Sequence, residues 1–116
     1  MKRQLADLQG RHAEERAARL LEAEGLQIVA RRRRTRAGEI DLVARQPGLV
    51  AFAEVKWRAS VAALDFAIDA WWLRRVAAAV ALVSHEYATC GEDIRIDVIL
   101  LAPGAAPRHI ANAWQP

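Results

Sequence analysis

Gly38-Glu39-Ile40-Asp41-Leu42-Val43-Ala44 and, after a Pro47-Gly48 turn, Leu49-Val50-Ala51-Phe52-Ala53-Glu54-Val55-Lys56-Trp57 are the stretches that decide how this chain folds. Both are rich in the β-branched and apolar residues of strands, and the Pro-Gly step between them predicts a hairpin. Into these strands the sequence inserts Asp41, Glu54 and Lys56. An isolated charge buried in a covered sheet costs on the order of several kcal/mol, so such residues must be paired, protonated or metal-bound. Period two puts Glu54 and Lys56 on one face of their strand, and pairing across the hairpin brings Asp41 beside them. Two carboxylates and an ammonium then converge. Oxygen ligands with no cysteine set and no clustered histidine favour Mg²⁺ or Mn²⁺ over zinc. Such an ion polarises a phosphate and lowers the pKa of a bound water, which Lys56 is placed to position or deprotonate. The alternative is an inert ion cluster of Lys56 with Glu54 and Asp41.

Upstream, residues from Asp7 or Gly10 to Glu24 are strong helix formers and Gly25 supplies the stop. Ala13, Ala17, Leu20 and Leu21 share the packing face, with Glu14 at its edge, while Glu15 and Glu22 point away. Glu14 is thus the acid of this helix that meets the interior. Gln27 to Arg33 reads as a strand, and its arginine-laden end belongs at a sheet edge. Downstream, one long helix is predicted from about Leu64 to Tyr87, with Leu64, Ile68, Trp71, Trp72, Val76, Ala79, Val80 and Val83 along one broad face. Gly91-Glu92-Asp93 closes it, and Ile94 to Leu101 follows as a strand. The intervening helix predicts a parallel crossover beside the Leu49–Trp57 strand. His109 to Trp114 adds a short last strand. The predicted architecture is a single α/β domain over residues 1–116, a mixed central sheet with helices on both faces.

Composition bounds the function. At 116 residues and 53% hydrophobic content, the chain has material for one core and no room for a second domain. The formal charge of +3 is modest, but five arginines fall in one block, Arg31, Arg32, Arg33, Arg34 and Arg36. Such a block points to a polyanion, nucleic acid above all, or else to a solvated edge. Cys90, the single cysteine, excludes an intrachain disulfide and a cysteine-rich zinc site. The charged start Met1-Lys2-Arg3 lacks the apolar stretch of a signal peptide, and Val76 to Val83 is too short to span a membrane. A cytoplasmic protein with no membrane partner is expected.

The runs Gly38-Glu39-Ile40-Asp41-Leu42-Val43 and Phe52-Ala53-Glu54-Val55-Lys56-Trp57-Arg58 resemble the GEIDLI and FVEVKxR motifs of the YraN family. These bacterial proteins are similar in fold to Holliday-junction resolvases of the PD-(D/E)XK superfamily. Gly10-Arg11-His12-Ala13-Glu14 with Ala17 matches the family's GxxGExxA helix except that Ala13 replaces glycine; Arg95-Ile96-Asp97-Val98 resembles its RFDVV strand and Ile110 to Trp114 its ending. The resemblance implies a restriction-endonuclease-like αβββαβ core with Glu14, Asp41, Glu54 and Lys56 as the catalytic set and Asp41 and Glu54 as metal ligands. Two departures stand out: Trp72 occupies the place of the family's lysine early in the long helix, where Arg74 or Arg75 could substitute, and Arg32 that of an asparagine.

The leading reading is a metal-dependent nuclease acting on DNA, branched or damaged DNA included, with Arg31, Arg32, Arg33, Arg34, Arg36 and Arg58 contacting phosphates. A catalytically weak or inactive nucleic-acid-binding module of the same fold is the alternative, favoured by the missing helix lysine. A protein-interaction scaffold is the third. Resolvase-like folds that meet two-fold-symmetric junctions leave a homodimer open. Glu39 shares a face with Asp41 and could add a ligand, although acids beside turns are usually solvated. Asp97 is expected to bond structural neighbours, Trp57 to pack on the face opposite Lys56, and the tryptophan pair Trp71 and Trp72 to serve core or dimer contact rather than base stacking. His12, His85 and His109 are too scattered for a ligand set.

Overall fold

The computed structural model of the chain describes residues 2–114, with side chains from residue 9 onward. Helix α1 (Lys2–Ala23) leads into strands β1 (Gln27–Thr35), β2 (Gly38–Gln46) and β3 (Leu49–Trp57). A one-turn helix α2 (Val61–Leu64), the long helix α3 (Ala70–Tyr87), and strands β4 (Asp93–Leu101) and β5 (Arg108–Ile110) complete the fold. The sheet has the order β1-β2-β3-β4-β5. All neighbours are antiparallel except β3 and β4, the parallel pair that the helical crossover dictates. It is a mixed α/β sheet, with β1 on an edge as its arginines require.

The two faces are filled differently. The α1 face uses small residues, Ala13, Ala17 and Ala18 with Leu21, so the helix lies close on Leu42, Ala44, Ala51 and Ala53. On the other face Val76, Ala79, Val80 and Val83 of α3 cover Ile40, Val43, Val50, Phe52 and Ile96. The Phe52 ring meets Tyr87 edge-on at 5.9 Å. Gly48, at φ 80°, makes the hairpin turn that its neighbour Pro47 announces.

Four sequence expectations are corrected. Helix α1 begins at Lys2 rather than at Asp7 or Gly10, because no residue before Gly10 breaks a helix. The predicted Leu64–Tyr87 helix is two helices. Ser60 caps α2 and Asp69 caps α3, its carboxylate accepting the Trp72 N–H at 2.8 Å, so residues 65–69 form a break. Trp71 consequently leaves the packing face: at 100° per residue it lies about 140° from Val76, it is 65% exposed, and Leu73 is buried instead. The last strand is only Arg108–Ile110, since Asn112 turns the backbone into the left-handed region at φ 54°.

Candidate functional site

The site begins with a fork in the sheet. Strands β2 and β3 pair from Gln46–Leu49 up to Leu42–Ala53 and then part. Beyond that point β2 stays with β1 as far as Gly38, and β3 stays with β4 as far as Trp57. Asp41 and Glu54 would be the next pair in register, so both stand at the crotch of the fork. Asp41 Oδ2 accepts the Val55 N–H at 2.8 Å, satisfying a backbone donor that faces the gap and fixing the carboxylate there.

Glu54 is buried, at 6% exposure. Burial first, then a hydrogen bond to the Asp41 carboxyl and its negative charge, raise its pKa from the ordinary 4.5 to about 10. Near neutral pH Glu54 therefore keeps its proton. Such a proton occupies the place a cation could take. Mg²⁺ and Mn²⁺ commonly ask one or two carboxylates of a protein and complete their shell with water and substrate oxygens. Asp41 and Glu54 fit that demand. Among the described residues no three His, Cys, Asp or Glu side chains are gathered as a fuller cage.

Lys56 stands two residues on from Glu54, and its Nζ lies 4.2 Å from the centroid of the Trp72 ring. Burial, then the neighbouring Arg58 cation, lower its pKa, against the opposing pull of Glu54, Asp41 and Asp69. Trp72 thus supplies a π face for the Lys56 ammonium. Arg75 and Glu39 line the same cavity as Glu54 and Trp72. Arg58 also donates to the Trp57 carbonyl at 2.8 Å. Trp57 packs toward α1, opposite Lys56.

Glu14 lines a second cavity, together with Asp41, Val55 and Trp57. Its carboxylate is turned to Arg32, whose Nε donates at 2.9 Å. Arg32 holds φ 51°, a left-handed conformation that asparagine tolerates far better than arginine. The turn at Arg32, with a register shift between Ile28 and Ala30, also sends the arginines to both faces of the sheet. Arg31 reaches Glu15 of α1 at 2.9 Å, Arg33 reaches Glu86 of α3 at 2.6 Å, and Arg34 faces Glu39 at 3.4 Å. The block is compensated charge that ties β1 to both helices. Arg36 has no ion pair among the described residues.

Asp97 is fully buried and lies outside the site. Arg95 chelates it with bonds of 2.8 and 2.9 Å, the Asn112 N–H donates to it, and His109 Nε2 lies 2.8 Å away. His109 Nδ1 contacts Glu24 at 2.7 Å, so one ring bridges the end of α1 to β4. Sequence separation hides this staple: Glu24 and His109 are 85 residues apart.

Comparison with known proteins settles the family. The model of the uncharacterised protein family UPF0102 matches residues 13–101, a span holding Glu14, the fork and β4. The chain belongs to this family. UPF0102 is the YraN family whose motifs the sequence resembles. A UPF0102 protein of Erythrobacter litoralis is 62% identical over the full length of both chains. One of Sphingopyxis alaskensis is 53% identical, again over the full length of both. A UPF0102 relative from Rhizorhabdus wittichii is 45% identical over 97% of this chain and 96% of its own. Among the described residues no helix is long and apolar enough to cross a membrane.

Proposed function

We propose that this UPF0102 protein is a metal-dependent nuclease of the PD-(D/E)XK type that hydrolyses phosphodiester bonds in DNA, branched or damaged DNA included, in the cytoplasm. The observation that carries the reading is the placing of Asp41 and buried Glu54 together where β2 and β3 part, with Lys56 two residues on along the same strand. The order of elements, a helix, three antiparallel strands, a helical crossover and a parallel strand, supports the assignment. Asp41 and Glu54 would hold Mg²⁺ or Mn²⁺, which supplies Lewis acidity toward a phosphate oxygen and a bound water of lowered pKa. The chain's own groups do the rest. The Val55 N–H holds Asp41 in place. Lys56, held as an ammonium over Trp72, orients the attacking water by donating to its oxygen. Arg58 continues the face of Lys56 and meets a phosphate.

A second reading, a binding module of the same fold with weak or no cleavage, is favoured by one observation: the Lys56 ammonium rests on the Trp72 ring instead of being flanked by a second lysine. Incubation with linear, nicked and four-way DNA, with and without Mg²⁺ or Mn²⁺, separates the two. The nuclease reading expects metal-dependent cuts, lost in Glu54→Gln and reduced about 10²–10⁴-fold in Lys56→Ala. Binding to the same substrates without any cleavage would support the module.

A further inference from the structure

Trp71 has a feature that core packing does not explain. It is 65% exposed at the start of α3, and the Arg75 guanidinium lies over its ring at 5.1 Å from the centroid. Its chain neighbour Trp72 and its stacking partner Arg75 both line the cavity that holds Glu54. Phe66, in the break before α3, is 87% exposed. Arg74 and Arg75 on α3, and Arg58 beside Lys56, have no carboxylate partner among the described residues. The nearby acids are engaged, Asp69 as the cap of α3 and Asp65 facing Arg108 at 3.7 Å. An exposed indole framed by unpaired guanidinium groups, on the rim of a carboxylate site, is complementary to a strand that presents both phosphates and unstacked bases.

We propose that Trp71 is a stacking platform for an unpaired base, and that Arg75 and Arg58 hold the flanking phosphates. The substrate at the fork is accordingly a single-stranded or locally unpaired stretch of nucleic acid rather than a continuous duplex. This rests on the reading of the chain as acting on nucleic acid, but it does not require that cleavage be efficient. The Arg75 cation contributes in two ways, pairing with phosphate and pre-orienting the indole through its cation–π contact.

The test is metal-free binding, read by fluorescence anisotropy of a labelled oligothymidylate and of an abasic oligomer of the same length and charge. Trp71→Ala should weaken the oligothymidylate about 5- to 100-fold, the range that loss of one base stack gives. It should leave the abasic oligomer unchanged. Trp71→Phe should recover most of the loss, and Arg75→Ala should weaken both ligands. Trp71 is exposed, so Trp71→Ala is expected to fold, and a circular-dichroism melt checks it. The proposal is overturned if the parent does not bind oligothymidylate, if Trp71→Ala binds it as the parent does, or if both ligands are lost equally. It is also overturned if Trp71→Ala converts a dimer to a monomer in sedimentation while base binding persists, since the face would then serve a second copy. Cleavage is scored separately. A parent that binds through Trp71 and does not cut contradicts the nuclease alone, and one that cuts with Trp71 dispensable contradicts the platform alone.

Discussion

Charged side chains crowd two parts of this sheet, and the two parts are built in opposite ways. On the edge strand β1, Arg31, Arg32, Arg33 and Arg34 each face a carboxylate, on Glu15, Glu14, Glu86 and Glu39 in turn. At the fork between β2 and β3, burial first and the neighbouring Asp41 second make Glu54 keep its proton, and the adjacent cations Lys56 and Arg75 lie on tryptophan rings rather than on carboxylates. The contrast is one of compensation: charge that is paired with carboxylates on β1 is left to tryptophan rings at the fork. On β1 the compensated charge ties the strand to both helices. The arginine block is the louder signal in the sequence, and α1 and α3 largely use it up.

The largest effect expected from this contrast is on stability against pH. Glu54 has a folded pKa raised to about 10, above its ordinary 4.5, so the folded chain binds a proton that the unfolded chain has released. The stability this contributes is full below about 4.5 and is lost as pH rises toward about 10, at up to about 1.4 kcal/mol per pH unit. Thermal melts from pH 5 to 9 should therefore show the parent falling and Glu54→Gln nearly flat, with the variant the more stable above neutrality. Saturating Mn²⁺, at about a hundred times its dissociation constant, should add about 2.7 kcal/mol to the parent and little to the variant. An inert ion cluster predicts the reverse, since removing one partner of a buried pair costs roughly 3–5 kcal/mol and metal changes nothing.

Next in size is the division of labour among the arginines. Replacing Arg58 and Arg75 together by alanine should weaken oligonucleotide binding at least about tenfold and reduce the log–log salt slope by about 1.4 on single strands, two contacts' worth. Replacing Arg31 and Arg33 should leave affinity near that of the parent and lower stability by about 1 kcal/mol or less for each exposed pair. A larger loss of affinity from the β1 pair than from Arg58 and Arg75 would erase the distinction between the two regions.

The smallest effect concerns Arg32. Its left-handed backbone, φ 51°, suits asparagine, but the substitution also gives up the bond to Glu14. The two changes oppose, so Arg32→Asn should shift stability by no more than about 0.5 kcal/mol, with Glu14 released to turn toward Asp41. Destabilisation beyond about 1 kcal/mol would show that the Glu14 bond, and not the backbone, governs that position.

Much of this is legible in the sequence. The alternation through Glu39–Ala44, the Pro47-Gly48 turn and the apolar run to Trp57 specify the β2–β3 hairpin, and a helix of crossover length specifies the parallel β4. Strand parity alone puts Glu54 and Lys56 on one face. The break at residues 65–69 escaped because Leu64 and Ile68 stay in helical phase with Trp72, so periodicity runs through it; only the caps Ser60 and Asp69 betray it. The fork was hidden for a different reason. Pairing patterns follow from turns, whereas the end of pairing depends on which neighbour, β1 or β4, holds each strand beyond Leu42 and Ala53. Nor could local sequence show that Arg31 and Arg33 diverge to opposite helices, since the cause is a backbone torsion at Arg32.

The most direct test of the fork as a metal site is titration calorimetry of the parent with Mn²⁺ at pH 7, run in two buffers of different ionisation enthalpy. If a cation replaces the proton that Glu54 keeps, binding must expel that proton into the buffer. The account predicts saturable binding of about one ion, with heats that differ between buffers by the enthalpy of about one proton, and no such difference for Glu54→Gln. Absence of binding, or heats identical in the two buffers for the parent, would contradict it.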